Sequence, residues 1–543
     1  MGTFSRISSR KKKKKNHTRT PSNQSNPSAD TSGEAKEISR KKLAGNLEED
    51  LQYLISETGQ SSDIIIRELA IGPEHGTKAA VIVTDGLINN QTVNNSILKM
   101  MLDPFSFPDS PDPETIFQKL KTGILSVSGV KEILYWDDLF FSLLTGETII
   151  LMDGNPVALA TNTKGGEVRQ IGEPKAEISI RGAQDSFTES IRINTSLVRR
   201  RIVNPHLHLE SMTLGKVTQT KVEIMYIKGI ANDKIVQEVR DRLQRIDIDQ
   251  MIDAGYIEQM IEDETFTTFP TVFYTERPDI VASNLLEGKV AIFVQGSPSV
   301  ITVPALFVEF FQSADDYYMR FDISTALRIL RVLIFILSIL APAAYVAVTT
   351  FHQEMIPTTL IIAIAAQREA IPFPAFVEAL VMEITFEILR EAGVRLPRAI
   401  GQAVSIVGAL VIGQAAIQAS IVSPAMVIIV AITAIANFAI PSYSVAISTR
   451  LIRFVLMALS AFMGFYGIIF GLTIMIFHLC SLRSFGIPYL APLAPLMARN
   501  IGDSIIRLPL WAMRSRPTLI SQKNIIRVGN EQRPFPDQSG ENR

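Results

Sequence analysis

Three glutamates stand in the largely apolar run Phe373–Leu389, the first part of FPAFVEALVMEITFEILREAG at 373–393. Glu383 and Glu387 are four apart and share a helix face, whereas Glu378 lies well round the same helix. Ionisable groups at membrane depth point to an ion vestibule or a contact between subunits. An amphipathic helix at the membrane interface, with its acids in water, fits the same spacing. Amides form a second group: Gln402, Gln414 and Gln418 lie in AIGQAVSIVGALVIGQAAIQASIVSP, residues 399–424. Amide side chains are costly against lipid, so they should face protein or water. At heptad spacing Val404, Val407 and Val411 continue into Gln414 and Gln418. Beside them runs a small-residue stripe, Gly401, Ser405, Gly408, Ile412, Ala415 and Ala419, suited to close helix–helix approach. Two readings stay open. One is a tightly packed interior helix; the other is a pore-lining helix in a ring of identical subunits. In the ring, the valines form a constriction that gates by dewetting and the glutamines a wider polar lining. One copy of a helix cannot line a pore, so that reading requires a homo-oligomer.

Other chemistry is sparse. His206 and His208 alternate on a strand face, but spacing supplies no third ligand, so a structural pair is expected and no metal. The single Cys480 excludes a disulfide framework and a multi-thiolate metal site. No phosphate-cradling glycine loop, nucleophile elbow, kinase or zincin signature is present. Neither an enzyme nor a cofactor is expected.

The elements that must position these residues fall into two materials. Net charge is -1 and 47% of residues are hydrophobic, which resembles a soluble protein. Both averages break up along the chain. Residues 1–45 carry twelve Lys/Arg and three Asp/Glu, and their polar composition cannot bury enough surface to fold. Arg10–Lys15 suits a solvated tail or a segment held at anionic membrane lipids. Nucleic acid is disfavoured, because no aromatics interleave the lysines.

From residue 46 to about 320 a soluble α/β region is expected, as two subdomains, 46–170 and 171–320, divided near 163–185. KAAVIVTDG (78–86), ETIILMDG (147–154) and VEIMYIKGI (222–230) read as strands, and LEEDLQYLISE (47–57) as a helix. Beyond it an α-helical polytopic membrane domain, 321–500, is expected, followed by a cytoplasmic tail, 501–543. Val332–Phe351 is twenty residues without a charge, Ala399–Thr449 is fifty-one, and Phe454–Leu482 is twenty-nine. These predict one crossing, two joined near Ser423-Pro424, and one more. Asn437 and Pro441 would kink a span or line a polar cavity. Met355–Gln367 and Ser484–Ala498 are shorter and suggest re-entrant, interfacial or half-helical pieces. Arginines flanking the spans, Arg450 and Arg453 among them, put the soluble region and tail on the cytoplasmic side, with five or six crossings.

Three longer motifs carry a resemblance. EPKAEISIRGAQDSFTESIRINTSLVRRRI (173–202), FPTVFYTERPDIVASNLLEGKVAIFVQGSPSVITVPALFVEFFQSADDYY (269–318) and FPAFVEALVMEITFEILREAGVRLP (373–397) resemble the GerA family. These are the A subunits of nutrient germinant receptors in endospore-forming bacteria. The likeness runs from about residue 45 to about 510. It departs where RGAQDSFTE, ending at Glu189, stands for the commoner RGPRDGFTE, through Ala183, Gln184 and Ser186. The resemblance implies a spore inner-membrane protein beside a transporter-like, nutrient-binding B subunit and a lipoprotein C subunit. It further implies a homo-oligomer, a pentamer, that conducts cations when nutrient binds. Within that frame Val404, Val407 and Val411 are the expected gate. The alternatives are a non-conducting scaffold that signals to a separate channel, and the paralogous A-type subunit encoded with dipicolinate-channel proteins.

Overall fold

The computed structural model describes residues 40–71, 76–103, 113–124, 129–166, 174, 177, 179–397, 411–529, 532 and 534; the basic tail up to residue 39 lies outside them. The first half of the chain builds one pattern twice. Helix α1 (Leu47–Thr58) leads into strands β1 (Ile64–Ile71) and β2 (Thr77–Thr84). Short helical turns between 90 and 124 follow, then β3 (Val130–Ile133), α2 (Trp136–Leu144), β4 (Glu147–Met152) and β5 (Ala158–Asn162). The second unit repeats this as α3 (Ile191–Arg199), β6 (Leu207–Leu214), β7 (Thr220–Ile227), α4 (Asp233–Gln244), α5 (Ala254–Ile261), β8 (Phe273–Thr275), α6 (Pro278–Leu286), β9 (Val290–Val294) and β10 (Val300–Val303). The sheet orders are β1-β2-β4-β5-β3 and β6-β7-β9-β10-β8, the same topology.

All pairings in both sheets are antiparallel. The α/β expectation thus resolves into two antiparallel sheets with helices on both faces. Leu47, Leu51, Leu54, Trp136 and Leu139 cover Ala80, Ile82, Ile149 and Leu151 on one face of the first sheet. Val93, Ile97, Met101, Ile116 and Phe117 cover Val81, Ile150 and Met152 on the other. Strands covered on both sides need apolar residues at every position rather than at alternate ones. Accordingly, in β2 and β7 only the opening Thr-Lys pair reaches solvent. The turns match as well: Gly86 and Gly229 are 143 positions apart, and Gly146/Gly288 and Gly154/Gly296 are 142 apart, with φ between +80° and +97°.

The two units are bolted together. Arg199 donates from Nε to Asp63 Oδ2 at 2.7 Å and from Nη2 to Asp63 Oδ1 at 3.0 Å, with both side chains buried. Burial alone would raise the Asp63 carboxyl, but the Arg199 guanidinium and the Ser61 hydroxyl outweigh it and hold the group below its usual range. Gly59 touches the His208 ring so closely that a Cβ there would stand 2.1 Å from it.

The second half is helical: α7 (Phe321–Thr350), α8 (Thr358–Arg368), α9 (Ala375–Arg395), α10 (411–418), α11 (Pro424–Phe438), α12 (Tyr443–Met463) and α13 (Phe465–Ser481). By length and composition, α7 and α12 are long and apolar enough to cross a membrane, and α8, α11 and α13 are shorter apolar helices. Helix α7 starts beside the second sheet unit and runs away from it. At the far end His352 meets the turn at Gly464, where a Cβ would come 2.6 Å from its ring. Helix α9 comes back from that end, with Glu378 beside Ser423 and Glu387 beside Arg450. Ser423, at the start of α11, lies against Tyr345 near the end of α7. Helix α12 begins at the near end, where the Ser448 hydroxyl donates to the Thr268 carbonyl. Helix α13 returns there, with His478 Nε2 2.9 Å from Thr267 Oγ1.

Three sequence expectations need correcting. Phe454–Leu482 is not one span, because Gly464, at φ +61° and ψ -138°, ends α12 and starts α13 as a hairpin. That backbone conformation is open to glycine and closed to residues with a Cβ. Gly467 and Gly471 then let the two helices touch, since a Cβ on either would lie 2.2 Å from Leu459 O or 2.5 Å from Leu456 Cδ2. Second, the chain breaks at Ile440-Pro441 as well as near Ser423. Across this break Asn437 Nδ2 donates to Ala446 O at 3.1 Å and Thr449 Oγ1 at 2.8 Å. Third, Ser484–Ala498 is irregular chain laid on the second sheet unit: Tyr489 donates to Pro270 O at 2.6 Å, and Ser484 donates to Thr271 O at 2.7 Å. The chain stays on that unit as far as Ser521, which donates to Ile230 O at 2.9 Å.

Candidate functional site

Of the candidate glutamates on α9, Glu378 and Glu383 are buried and Glu387 is partly exposed, and each meets arginine. Pro374 caps α9, and Glu378 follows in its first turn with no exposed surface. Its Oε1 accepts from Arg368 Nε at 3.3 Å, and its Oε2 accepts from the Ser423 N–H at 2.9 Å. The Ser423 hydroxyl in turn accepts from Met426 N at 3.3 Å. A carboxylate is thereby placed on the positive N-terminal end of α11, where it is favoured. Glu383 lies with Oε2 2.8 Å from Arg453 Nη2, and each side chain is 1% exposed. Glu387 takes Arg390 at 2.6 Å, Arg450 at 3.2 Å and Arg453 at 3.5 Å. Glu378 does not join the other two. Glu383 and Glu387 form one cluster that joins α9 to α12.

Arg450 and Arg453, counted from sequence as charges flanking the spans, are therefore interior partners of the acids. They are 7% and 1% exposed, and Arg450 Nε also donates to Ala446 O at 3.1 Å. The available signal was their i, i+3 spacing on one helix face, matched to i, i+4 acids on another.

A second buried network sits where α7 meets the sheet unit. Asp316 Oδ2 accepts from Arg328 Nε at 3.0 Å and from Arg331 Nη1 at 2.7 Å. Arg328 Nη1 reaches Asp503 Oδ1 at 3.1 Å, and Tyr317 donates to the same carboxylate at 3.0 Å. Arg507 N donates to Thr325 Oγ1 at 3.2 Å, closing the loop back onto α7. Burial, with Glu287 nearby, pushes the Asp503 carboxyl up to about 6, and burial raises the Tyr317 hydroxyl well above its usual value. Next to it lies a cavity of about 600 Å³, walled by Phe273, Tyr274 and Arg277 on one side and by Phe438, Pro441 and Tyr443 on the other. Burial pushes Glu177, on its wall, up to about 7 against the hydrogen bonds from Thr275 and Glu276.

On α10, Val411, Gln414, Ala415 and Gln418 are exposed, with Val411 at 56%. Gly413 faces the other way, and a Cβ there would meet Val427 at ordinary contact, 3.7 Å. Val404, Val407, Gly401, Ser405 and Gly408 lie outside the described residues. His208 is buried between Gly59 and Tyr226, and His206 Nδ1 lies 3.8 Å from Glu57 Oε2.

Comparison with known proteins places this architecture. Residues 52–519 match the family described as Bacillus/Clostridium GerA spore germination protein. Spore germination protein KA of Bacillus subtilis (strain 168) is 54% identical over 494 residues, covering 91% of this chain and 90% of that protein. The membrane protein YfkQ of the same organism is 42% identical over 482 residues, 89% and 93% of the two chains. A crystal structure of the N-terminal domain of the A subunit of the Bacillus megaterium spore germinant receptor GerK3 aligns at 40% identity with a TM-score of 0.40, over 49% of this chain and 98% of that one. The chain belongs to the GerA family of spore germination proteins.

Proposed function

We propose that this chain is the A subunit of a nutrient germinant receptor, and that identical copies form a ring in the spore inner membrane that passes cations when nutrient is sensed. A transporter-like B subunit and a lipoprotein C subunit complete the receptor, and no enzymatic step is involved. Family membership supports the germination role, and the apolar helices support membrane residence.

The observation that carries the ring is the stripe on α10. Val411, Gln414, Ala415 and Gln418 face outward while Gly413 packs inward. A mixed valine and glutamine face suits a water-filled or protein-covered surface better than lipid, and only further copies can enclose a pore. Val411→Ala should let ions leak from spores without nutrient, and Val411→Phe should block release on nutrient addition. Both are read by potassium efflux.

A second reading is a non-conducting scaffold that relays the nutrient signal to a separate channel. It is favoured by the pairing of Glu378, Glu383 and Glu387 with arginines of their own chain, which neutralises these acids as cation ligands. Unchanged efflux in both Val411 variants, with the receptor assembled, selects the scaffold.

A further inference from the structure

We propose that the sheet units of neighbouring copies stack head to tail, repeating between chains the contact that joins the two units within one chain. The proposal rests on the homo-oligomer reading above and names its surface. Inside the chain, the end of the first unit that carries Asp63, Asp85 and Gly86 packs on α3. Asp85 Oδ1 meets Arg192 Nη2 at 2.7 Å, Asp63 meets Arg199, and a Cβ on Gly86 would stand 2.9 Å from Ser196 Cβ. Helix α3 is consequently buried nearly all round.

The repeat supplies part of each half of this contact a second time and exposed. Moving 143 positions on, Asp85 and Gly86 become Lys228 and Gly229. Both are exposed, and a Cβ on Gly229 would meet nothing within 4 Å among the described residues. The tail's Ser521 is seated one residue further on, at Ile230. Moving 143 positions back, Arg192 and Arg199 become Glu49 and Ser56 on α1. These are exposed, as are Glu48 and Gln52, while Leu47, Leu51 and Leu54 face the core. Helix α1 thus has the same inner face as α3 and lacks only the cover on its outer face.

Of the two ion pairs, Asp85–Arg192 is reversed, becoming Lys228 and Glu49, whereas Asp63–Arg199 becomes His206 and Ser56 and supplies no ion pair. Acid on the first unit meets arginine on α3 within the chain, so lysine at Lys228 would meet acid at Glu49 between chains. Attraction is preserved at that pair, and a mismatch at either face would have removed it. The two surfaces differ from one another, so the contact is heterologous, and successive copies turn through a constant angle until the set closes.

The test uses the full-length protein in detergent with Cys480, its one cysteine, replaced by serine. Glu49→Cys and Lys228→Cys together should give a ladder of covalent multimers with a short bis-maleimide. Neither single variant should give more than dimers. Glu49→Lys should lower the multimer yield from uncrosslinked mass measurements roughly three- to fivefold, as for an exposed ion pair, and adding Lys228→Glu should restore it. A protein that remains oligomeric by mass yet gives no ladder overturns this surface and leaves the ring reading intact. A stable monomer overturns both.

Discussion

At the scale of single residues, burial decides what each charge does. Glu383 and Arg453 face each other with almost no solvent contact, so each would be a costly isolated charge without its partner. Removing one partner of such a pair costs about 3–5 kcal/mol, while replacing both by apolar groups of similar volume is often neutral. We therefore expect Arg453→Met to lower the thermal midpoint of the detergent-solubilised protein strongly and Glu383→Leu/Arg453→Met to recover most of it. A double variant no more stable than the single one would mean that the pair does something beyond mutual neutralisation. The acids were legible in the sequence because charge in an apolar stretch is conspicuous. Their arginines were not, because Arg450 and Arg453 end one apolar run and begin another, and an arginine in that position reads as a marker of the membrane surface. Only the fold shows that α12 carries both past α9.

At the scale of elements, apolar runs announced helices, and single backbone positions decided where they stop. Gly464 turns a run of twenty-nine uncharged residues into a hairpin. Gly464→Val should disrupt that hairpin, since the conformation is unavailable to a β-branched residue. The expected result is loss of α12–α13 proximity, measured as at least a threefold drop in short-range crosslinking between cysteines introduced at Leu456 and Ile468, which share one buried cluster, in a variant lacking Cys480. Gly464→Val with unchanged crosslinking would assign the turn to packing rather than to the glycine. The strands were readable from their β-branched runs. The doubled topology was not, because the two units share a backbone path and buried/exposed order while sharing few identical side chains. Of the candidate gate, Val411 with Gln414 and Gln418 is visible as an outward face; Val404 and Val407 lie outside the described residues.

At the scale of the whole molecule, the stretch from Arg483 to Arg527 closes back onto the chain's first half. Arg328, Asp316, Tyr317 and Asp503 join the base of α7 to that stretch. The sequence offered no sign of this, since the tail after residue 483 carries prolines and arginines without periodicity. Asp503 makes the closure sensitive to pH. Burial lifts its carboxyl to about 6 from an ordinary 3.8, so the folded state binds the proton more tightly than the unfolded chain. Stability is therefore greatest toward the ordinary carboxylate range and is lost as pH rises through about 6. Cleavage within 483–529 by a broad-specificity protease in detergent, corrected for the enzyme's own pH profile, should be roughly fivefold to thirtyfold slower at about pH 5 than at about pH 7.5, corresponding to about 1–2 kcal/mol. Asp503→Asn should remove that ratio, and its persistence would point to another group. The closure also constrains topography. The helical half leaves the second sheet unit at Phe321 and rejoins it at His478 and Ser484, so it begins and finishes at the same face. A bilayer around these helices is then entered as often as it is left. On the membrane reading proposed above, such a path would cross an even number of times, and the count of five expected from sequence would not fit it. The arithmetic also requires that any insertion or loss among these helices come in pairs, or the sheet units and the tail would be separated by the membrane.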